Sequence, residues 1–425
     1  MELEDKLKNL GRLVSTRKVH LPVVERSKTA DVLGGQVIKG KFGEVVLATE
    51  GFDLAKLHRD VRMPCSWKLK GKLLAKVCRP RKGTAEHTWP RTFNPEKAAF
   101  FDCETTGLAG GVGTYAFLVG LGYLCGDEFR MEQYFMEDFH QERAVLAAVA
   151  EKMNGFEFLV SYNGKCFDLP LLETRWTVNR IDFDSSRWFH LDLLYPSRRL
   201  WKRRIGDCSL GNVEQQILGV GREIDVPSFL IPQIYFDYLR NGQAEPLIPV
   251  LHHNSHDIVS LFKLAVVIDG ALEALDPVAL DDPVDLYSLG RVYQSLGDHH
   301  AGVRCFERAL TGDASPELRQ GALVSLAFAH KRSGSADEAA GIWQNLTGEE
   351  FPFSLLAHEE LAKHWEHKKK EYGRALFFVE KAMAHLASDY CQDVASRRDR
   401  MIASLEHRKS RLMRKIKRTS ARRRN

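Results

Sequence analysis

No stretch of the 425-residue chain is apolar for long enough to cross a bilayer; the best candidate, Val112 to Leu124, is short and broken by Gly and Thr. The start is charged at Glu2, Glu4, Asp5, Lys6 and Lys8, where a secretory leader needs an apolar run. Both absences point to a cytoplasmic protein with no membrane partner. The eight cysteines stand far apart and none forms a C-x-x-C pair, which excludes a zinc ribbon and a thioredoxin motif. Scattered cysteines of this kind are usually small buried hydrophobes. The glycine run Ala109-Gly-Gly-Val-Gly is not followed by G-K-[ST], so it is no phosphate-binding loop. Acids are missing from 408–425, where ten of eighteen residues are Lys or Arg.

What is present describes a globular protein of two or three domains, with 44% hydrophobic and 28% charged residues. The net charge of +5 is modest but gathered into patches, the tail and the run Arg198, Arg199, Lys202, Arg203, Arg204 around Trp201. Clustered positive charge suggests a polyanionic partner. For the tail, a solubilising extension is the equal alternative.

The chain divides by pattern into a charged N-terminal segment (1–28), a β-rich lead-in (29–97), an α/β domain (98–275), an all-α region (283–390) and a basic tail (391–425). In the α/β part, Ala98-Ala-Phe-Phe-Asp suits a buried strand, 114–124 a second and 128–136 a third. A helix at 142–153, a strand at 156–161 and a helix at 169–178 follow. Three meandering strands, then helix, strand and helix, is the opening order of a ribonuclease H-like fold with a mixed sheet. After Pro283, Gly290, Ala301 and Phe306-Glu-Arg-Ala-Leu fit a tetratricopeptide pattern, echoed around Ala339 and Ala375. Such repeats would offer a surface to a protein partner; a generic helical bundle is the alternative.

Three motifs carry chemistry. In Phe101-Asp102-Cys103-Glu104-Thr105-Thr106-Gly107-Leu108, alternation along a strand projects Asp102 and Glu104 to one side. Two carboxylates ending a buried run repel each other unless cations neutralise them, and hard oxygen ligands suit Mg²⁺ or Mn²⁺. A solvated strand end is the plainer alternative for Asp-x-Glu alone. The second motif is Tyr162-Asn163-Gly164-Lys165-Cys166-Phe167-Asp168. The third, His252-His253-Asn254-Ser255-His256-Asp257, opens a helix apolar on nearly every side, so Asp257 is expected inside the domain with partners. A histidine is the natural general base near neutral pH. His253, four residues before Asp257, shares its helix face; His252 is the close alternative and His256 the least expected.

The first motif resembles that of the DEDD exonuclease superfamily, whose members remove nucleotides from 3′ ends, and the second resembles the Tyr-Asn-x-x-x-Phe-Asp segment of its proofreading members. The resemblance implies a two-metal 3′–5′ exonuclease with Asp102, Glu104, Asp168 and Asp257 as metal ligands. It further implies that Thr105, Thr106, Gly107 and Leu108 contact the terminal nucleotide and that Asn163 and Phe167 shape the strand's path. In that superfamily the sequence is similar to the YprB-like ribonuclease H-like family, often joined to tetratricopeptide repeats, through 29–275, including His190-Leu-Asp192. Asp192 is a candidate for supporting the ligands, a buried turn acid being the equal alternative, and the Arg198–Arg204 run with Trp201 and Trp188 for tracking a strand by charge and stacking, a solvated helix face being the even alternative. The expected substrate is a DNA or RNA 3′ end. The rival reading is a catalytically weak nucleic-acid-binding or scaffold protein acting through its repeats and tail.

Overall fold

The computed structural model describes residues 26–59, 71–78, 93–107, 113–222, 225–273, 281–348, 354–387 and 395–422. Leu108, the 109–112 part of the glycine run and the first 25 residues of the N-terminal segment lie outside the described residues. The chain forms two units. The first comprises Met1–Asp60, Asn94–Asp192 and Gly221–Lys263, the second Val61–Phe93, Leu193–Val220 and Leu264–Asn425.

The first unit is built on a seven-stranded mixed sheet in the order β1-β2-β5-β4-β3-β6-β7. The strands are β1 (Gly35–Gly40), β2 (Gly43–Asp53), β3 (Ala98–Thr105), β4 (Ala116–Cys125), β5 (Glu128–Phe135), β6 (Phe158–Ser161) and β7 (Phe189–Asp192). β3, β4 and β5 form the expected antiparallel meander, and β6 and β7 continue it in parallel beside β3. The lead-in strands β1 and β2 form a hairpin that pairs with β5, so they belong to this sheet.

Both faces of β3 are covered, which is why Ala98-Ala-Phe-Phe reads as continuous apolar sequence. Ala99, Phe101 and Cys103 share a core with the helices Glu142–Met153, Asp168–Val178 and Ile231–Asn241. There Tyr235 stacks on Phe117 with ring centroids 4.1 Å apart and donates its hydroxyl to the Met136 carbonyl at 3.0 Å. A buried ion pair, Arg175 Nη2 to Glu142 Oε2 at 2.6 Å, ties the first two of these helices together.

The alternate residues Phe100, Asp102 and Glu104 face the helix Ile248–Glu273 instead. Phe262 of that helix meets Phe100 edge-on at 5.6 Å and stacks on Phe129 at 4.8 Å. Gly120, opposite Asp102 on β4, and Gly122 allow the close approach. A Cβ on Gly120 would lie 2.1 Å from Asn254 Oδ1 and 2.4 Å from Ile258 Cδ1.

The second unit is helical beyond residue 281. Pro283–Leu296, His299–Thr311, Pro316–Arg332, Ala336–Asn345, Leu355–His367, Tyr372–Ala387 and Ala395–Arg422 each pack on the next. Side chains of Asp282, Asp298, Ser315 and Ser354 cap their N-termini. Phe306 packs against Gly290, where a Cβ would come within 2.6 Å of the ring. Among the described residues no helix is long and apolar enough to cross a membrane.

The expectation that the Arg198–Arg204 run tracks a strand by stacking is corrected here. Trp201 is 1% exposed and Trp188 6%, so neither ring presents a face to a base. On the helix Leu194–Ile205, Arg204 Nε pairs with Asp285 at 2.9 Å, Arg203 lies over the Tyr287 ring at 5.2 Å and Arg199 bonds Ser295. These side chains hold a helix–helix contact within the second unit; Arg198 and Lys202 remain exposed.

The tight passage at Gly120 yields a stability prediction. Gly120→Ala should cost about 1–3 kcal/mol in urea unfolding, because Asn254, held between Gln133 and Asp102, has no room to yield. Unchanged stability would contradict the close packing of this helix on β4.

Candidate functional site

The site is assembled from β3, the start of the helix Asp168–Val178 and the helix Ile248–Glu273. β3 supplies Asp102 and Glu104, and a bulge at Glu104/Thr105 ends its regular pairing with β4. Beyond it, Thr106 pairs its backbone N–H and its hydroxyl oxygen with Tyr115, each at 2.9 Å, and the Thr105 hydroxyl donates to the Gly107 carbonyl at 2.9 Å. Both threonine hydroxyls thus shape the turn that follows the carboxylates, with Gly107 part-exposed.

Asp168 reaches the cluster through a short loop held from below. Asn163 takes a left-handed backbone, φ 66°, a conformation asparagine tolerates better than most residues. Its N–H donates to Asp192 Oδ1 at 2.8 Å, and the Lys165 N–H donates to Asp192 Oδ2 at 3.2 Å. Asp192, 1% exposed at the end of β7, therefore sets the loop from which Asp168 projects. Phe167, just before Asp168, is 58% exposed, an unusual position for a large apolar ring and one that suits contact with a ligand. Beside them the His190 ring lies wholly buried, with Nε2 2.7 Å from the Ser161 hydroxyl, and burial pulls it down to about 3, so it stays neutral.

The helix Ile248–Glu273 brings Asn254, His253 and Asp257 to the same place. Asn254, fully buried, was not singled out by the sequence, yet its Nδ2 donates to Asp102 Oδ2 at 3.0 Å. Its Oδ1 accepts from Gln133 Nε2, also at 3.0 Å. His253 Nε2 lies 3.8 Å from Asp257 Oδ2, as spacing of four along a helix requires, and its Nδ1 lies 2.5 Å from Asp225 Oδ1. His252 is not brought to the cluster. It sits on the exposed side of the same helix, lining a cavity of about 300 Å³ with Glu50, Gln133 and Ser255. One residue of helix turns a side chain by roughly 100°, so both histidines cannot serve the same carboxylate.

Arg222 and Asp225 were also missed, because they come from the connection after residue 219 and carry no motif. Arg222 pairs with Asp257 and with Asp225 Oδ2, the latter at 2.8 Å, and its Nη1 is 3.2 Å from His253 Nδ1. Its guanidinium is the positive charge lying directly on the cluster's edge.

Electrostatics bind these groups into one system. Burial drives Asp102 well above the usual carboxylate range, and the charges of Asp168, Asp257 and Glu104 add to it against the Asn254 hydrogen bond. Burial lifts Glu104 to about 7, opposed by His253 and reinforced by Asp257 and Asp168. Burial also lifts Asp168 to about 7, helped by Asp192 and Asp257 and opposed by the backbone amides of Asp168 and Cys103. For His253, burial acts downward, but Asp257, Asp225 and Glu104 outweigh it and hold the imidazole above its ordinary value.

Among the described residues no three His, Cys, Asp or Glu side chains are already gathered as ligands of one ion. The donor set nevertheless fits a hard divalent cation: Asp102, Glu104, Asp168 and Asp257 offer only oxygen, and burial with neighbouring carboxylates opposes the ionisation of Asp102, Glu104 and Asp168.

A pH dependence follows. The folded chain holds these protons more tightly than the unfolded chain, whose carboxylates titrate near 4. Their contribution is therefore fully present below about pH 4 and is lost as pH rises through about 7. In chelator, urea unfolding should show stability falling from pH 5 to pH 8, with a shallower fall in Asp168→Asn. Equal slopes in the two proteins would contradict the electrostatic account.

Comparison with known proteins identifies the family. Residues 99–268 match the RNase_H_2 family model of the RNase H superfamily. The uncharacterized Bacillus subtilis (strain 168) protein YprB is 32% identical over 297 residues, covering 69% of this chain and 71% of YprB. A family B DNA polymerase from the hyperthermophilic archaeon Pyrobaculum calidifontis superposes with TM-score 0.33 at 13% identity, over 56% of this chain and 29% of the polymerase. A superposition that loose carries no argument about function. On the match to YprB and to the superfamily model, the chain belongs to the YprB family, with a domain of the RNase H superfamily at its centre.

Proposed function

We propose that this protein is a metal-dependent exonuclease that removes nucleotides from the 3′ end of a DNA or RNA strand. The observation that carries the reading is the convergence of Asp102, Glu104, Asp168 and Asp257, from three separate elements, where burial and neighbouring acids hold Asp102, Glu104 and Asp168 above the carboxylate range. A protein keeps such mutually repelling buried acids at a cost in stability unless cations offset it.

These four side chains would hold two Mg²⁺ or Mn²⁺ ions. When bound, such ions acidify a water and offset charge on the leaving oxygen. His253 then takes the proton of the attacking water, with Asp225 orienting its ring through Nδ1. The bond from water oxygen to phosphorus forms as the bond to the 3′ oxygen of the penultimate nucleotide breaks, releasing a 5′-mononucleotide. Phe167, Asn163 and the Thr105–Gly107 turn border the strand's path, and Arg222, beside Asp257 and Asp225, would face the incoming phosphate. The helices of 283–390 we read as tetratricopeptide-like repeats that offer a surface to a protein partner, in a cytoplasmic protein.

Digestion of a 5′-labelled single strand, DNA and RNA in parallel, tests the proposal. With Mn²⁺ or Mg²⁺ the label should run as a ladder shortening from the 3′ end, and chelator or Asp102→Asn should abolish it, a loss of at least a hundredfold. Cleavage that survives in Asp102→Asn, or none from the native chain with either metal, refutes it.

A further inference from the structure

The helix Ala395–Arg422 is fixed in rotation by one buried acid. The Glu366 side chain is fully buried and accepts from Arg408 Nη1 at 2.8 Å, Arg411 Nε and Nη2 at 2.8 Å, and Lys415 Nζ at 2.9 Å. Burial pushes this carboxyl up, yet the bonds from Arg411 and Lys415 outweigh it and hold it down at about 2. Leu405 and Leu412, one heptad apart, are buried on the same side, at 2% and 0% exposure. Lys409 reaches Glu380 of the preceding helix at 2.9 Å.

With that side committed, an exposed flank beside it remains. Arg414, Lys417 and Arg418 stand at i, i+3 and i+4, all exposed, with no ion-pair partner among the described residues. No acid follows Glu406 in the sequence. Three cations on a rigid helix, rather than on a loose tail, form a surface of fixed spacing for a polyanion. A lipid surface is the poorer match. Leu405 and Leu412 are buried against its neighbours and only Met413 of its large apolar side chains stands exposed, too little to insert among acyl chains.

We propose that Arg414, Lys417 and Arg418 form a nucleic-acid-backbone holding site, distinct from the carboxylate cluster, on an exposed flank of the helix that Glu366 anchors. The site reads charge and not sequence, and it keeps a strand on the protein between cleavage events. The choice of nucleic acid as the polyanion rests on the exonuclease reading, but the contact is independent of hydrolysis.

The test is binding of the full chain to a fluorescent 20-nucleotide single strand, RNA and DNA in parallel, in chelator, across a salt series. The triple variant R414Q/K417Q/R418Q should bind about tenfold more weakly at low salt. Its slope of log affinity against log salt should be shallower by about 2, since each phosphate contact on a single strand contributes about 0.7. Each single variant should take about a third of that change, which guards against a fold defect in the triple. The control triple R319Q/K370Q/K381Q removes the same charge from other exposed positions and should bind as the native chain does. Native-like slope in the first triple, equal loss in the control, or binding of phosphatidylserine vesicles in place of either strand would overturn the site. Hydrolysis is read separately on trinucleotides, too short to need a holding site. Failure there with binding intact would sink the exonuclease and spare the holding site.

Discussion

Repulsion among carboxylates stripped of water is the constraint around which the first unit is arranged. Burial opposes the ionisation of Asp102, Glu104 and Asp168, and the charge of Asp257 adds to it at all three. The protein's own countermeasures are local: Asn254 donates to Asp102, backbone amides of Asp168 and Cys103 favour the Asp168 carboxylate, and Arg222 lies on Asp257. None of them reaches all four acids. A hydrogen bond or a single guanidinium is worth a few kcal/mol at most, less than several buried charges demand. Under the proposed function, that remainder falls to divalent cations.

The scaffold serves that arrangement by bringing one helix unusually close to the sheet. Glycines at 120 and 122 remove the side chains that would hold the helix off, and Asn254 fills the gap with its amide oriented by Gln133. Phe100, Phe129 and Phe262 lock the same helix farther along. Asp192 does the equivalent for the loop carrying Asp168, through two backbone amides. Rigid supports of this kind are what a metal-binding cluster needs, since a ligand displaced by a fraction of an ångström weakens the whole set.

The parts of this picture legible in the sequence were those set by local periodicity. Alternation in Ala98–Thr105 placed Asp102 and Glu104 on one side, and spacing of four placed His253 with Asp257. The order of strands and helices from Ala98 to Val178 followed from pattern alone. What escaped was decided by tertiary contact. Arg222 meets a residue 35 positions away from a segment with no motif, and Asn254 gained its role only because β4 has glycines beneath it. Spacing favoured His253 with His252 close behind, and the helix Ile248–Glu273 leaves His252 on its exposed side. Trp201 suggested a stacking surface, yet an amphipathic helix buries its aromatic; Arg203 and Arg204 meet the neighbouring helix while Arg198 and Lys202 stay exposed.

The central claim is that cations complete the cluster, and counting them tests it most directly. Calorimetric titration of Mn²⁺ into chelator-stripped protein at pH 8 should give two ions per chain, with binding reduced in both Asp102→Asn and Asp257→Asn. A native chain that takes up no Mn²⁺, or variants that bind it as the native chain does, would contradict the account.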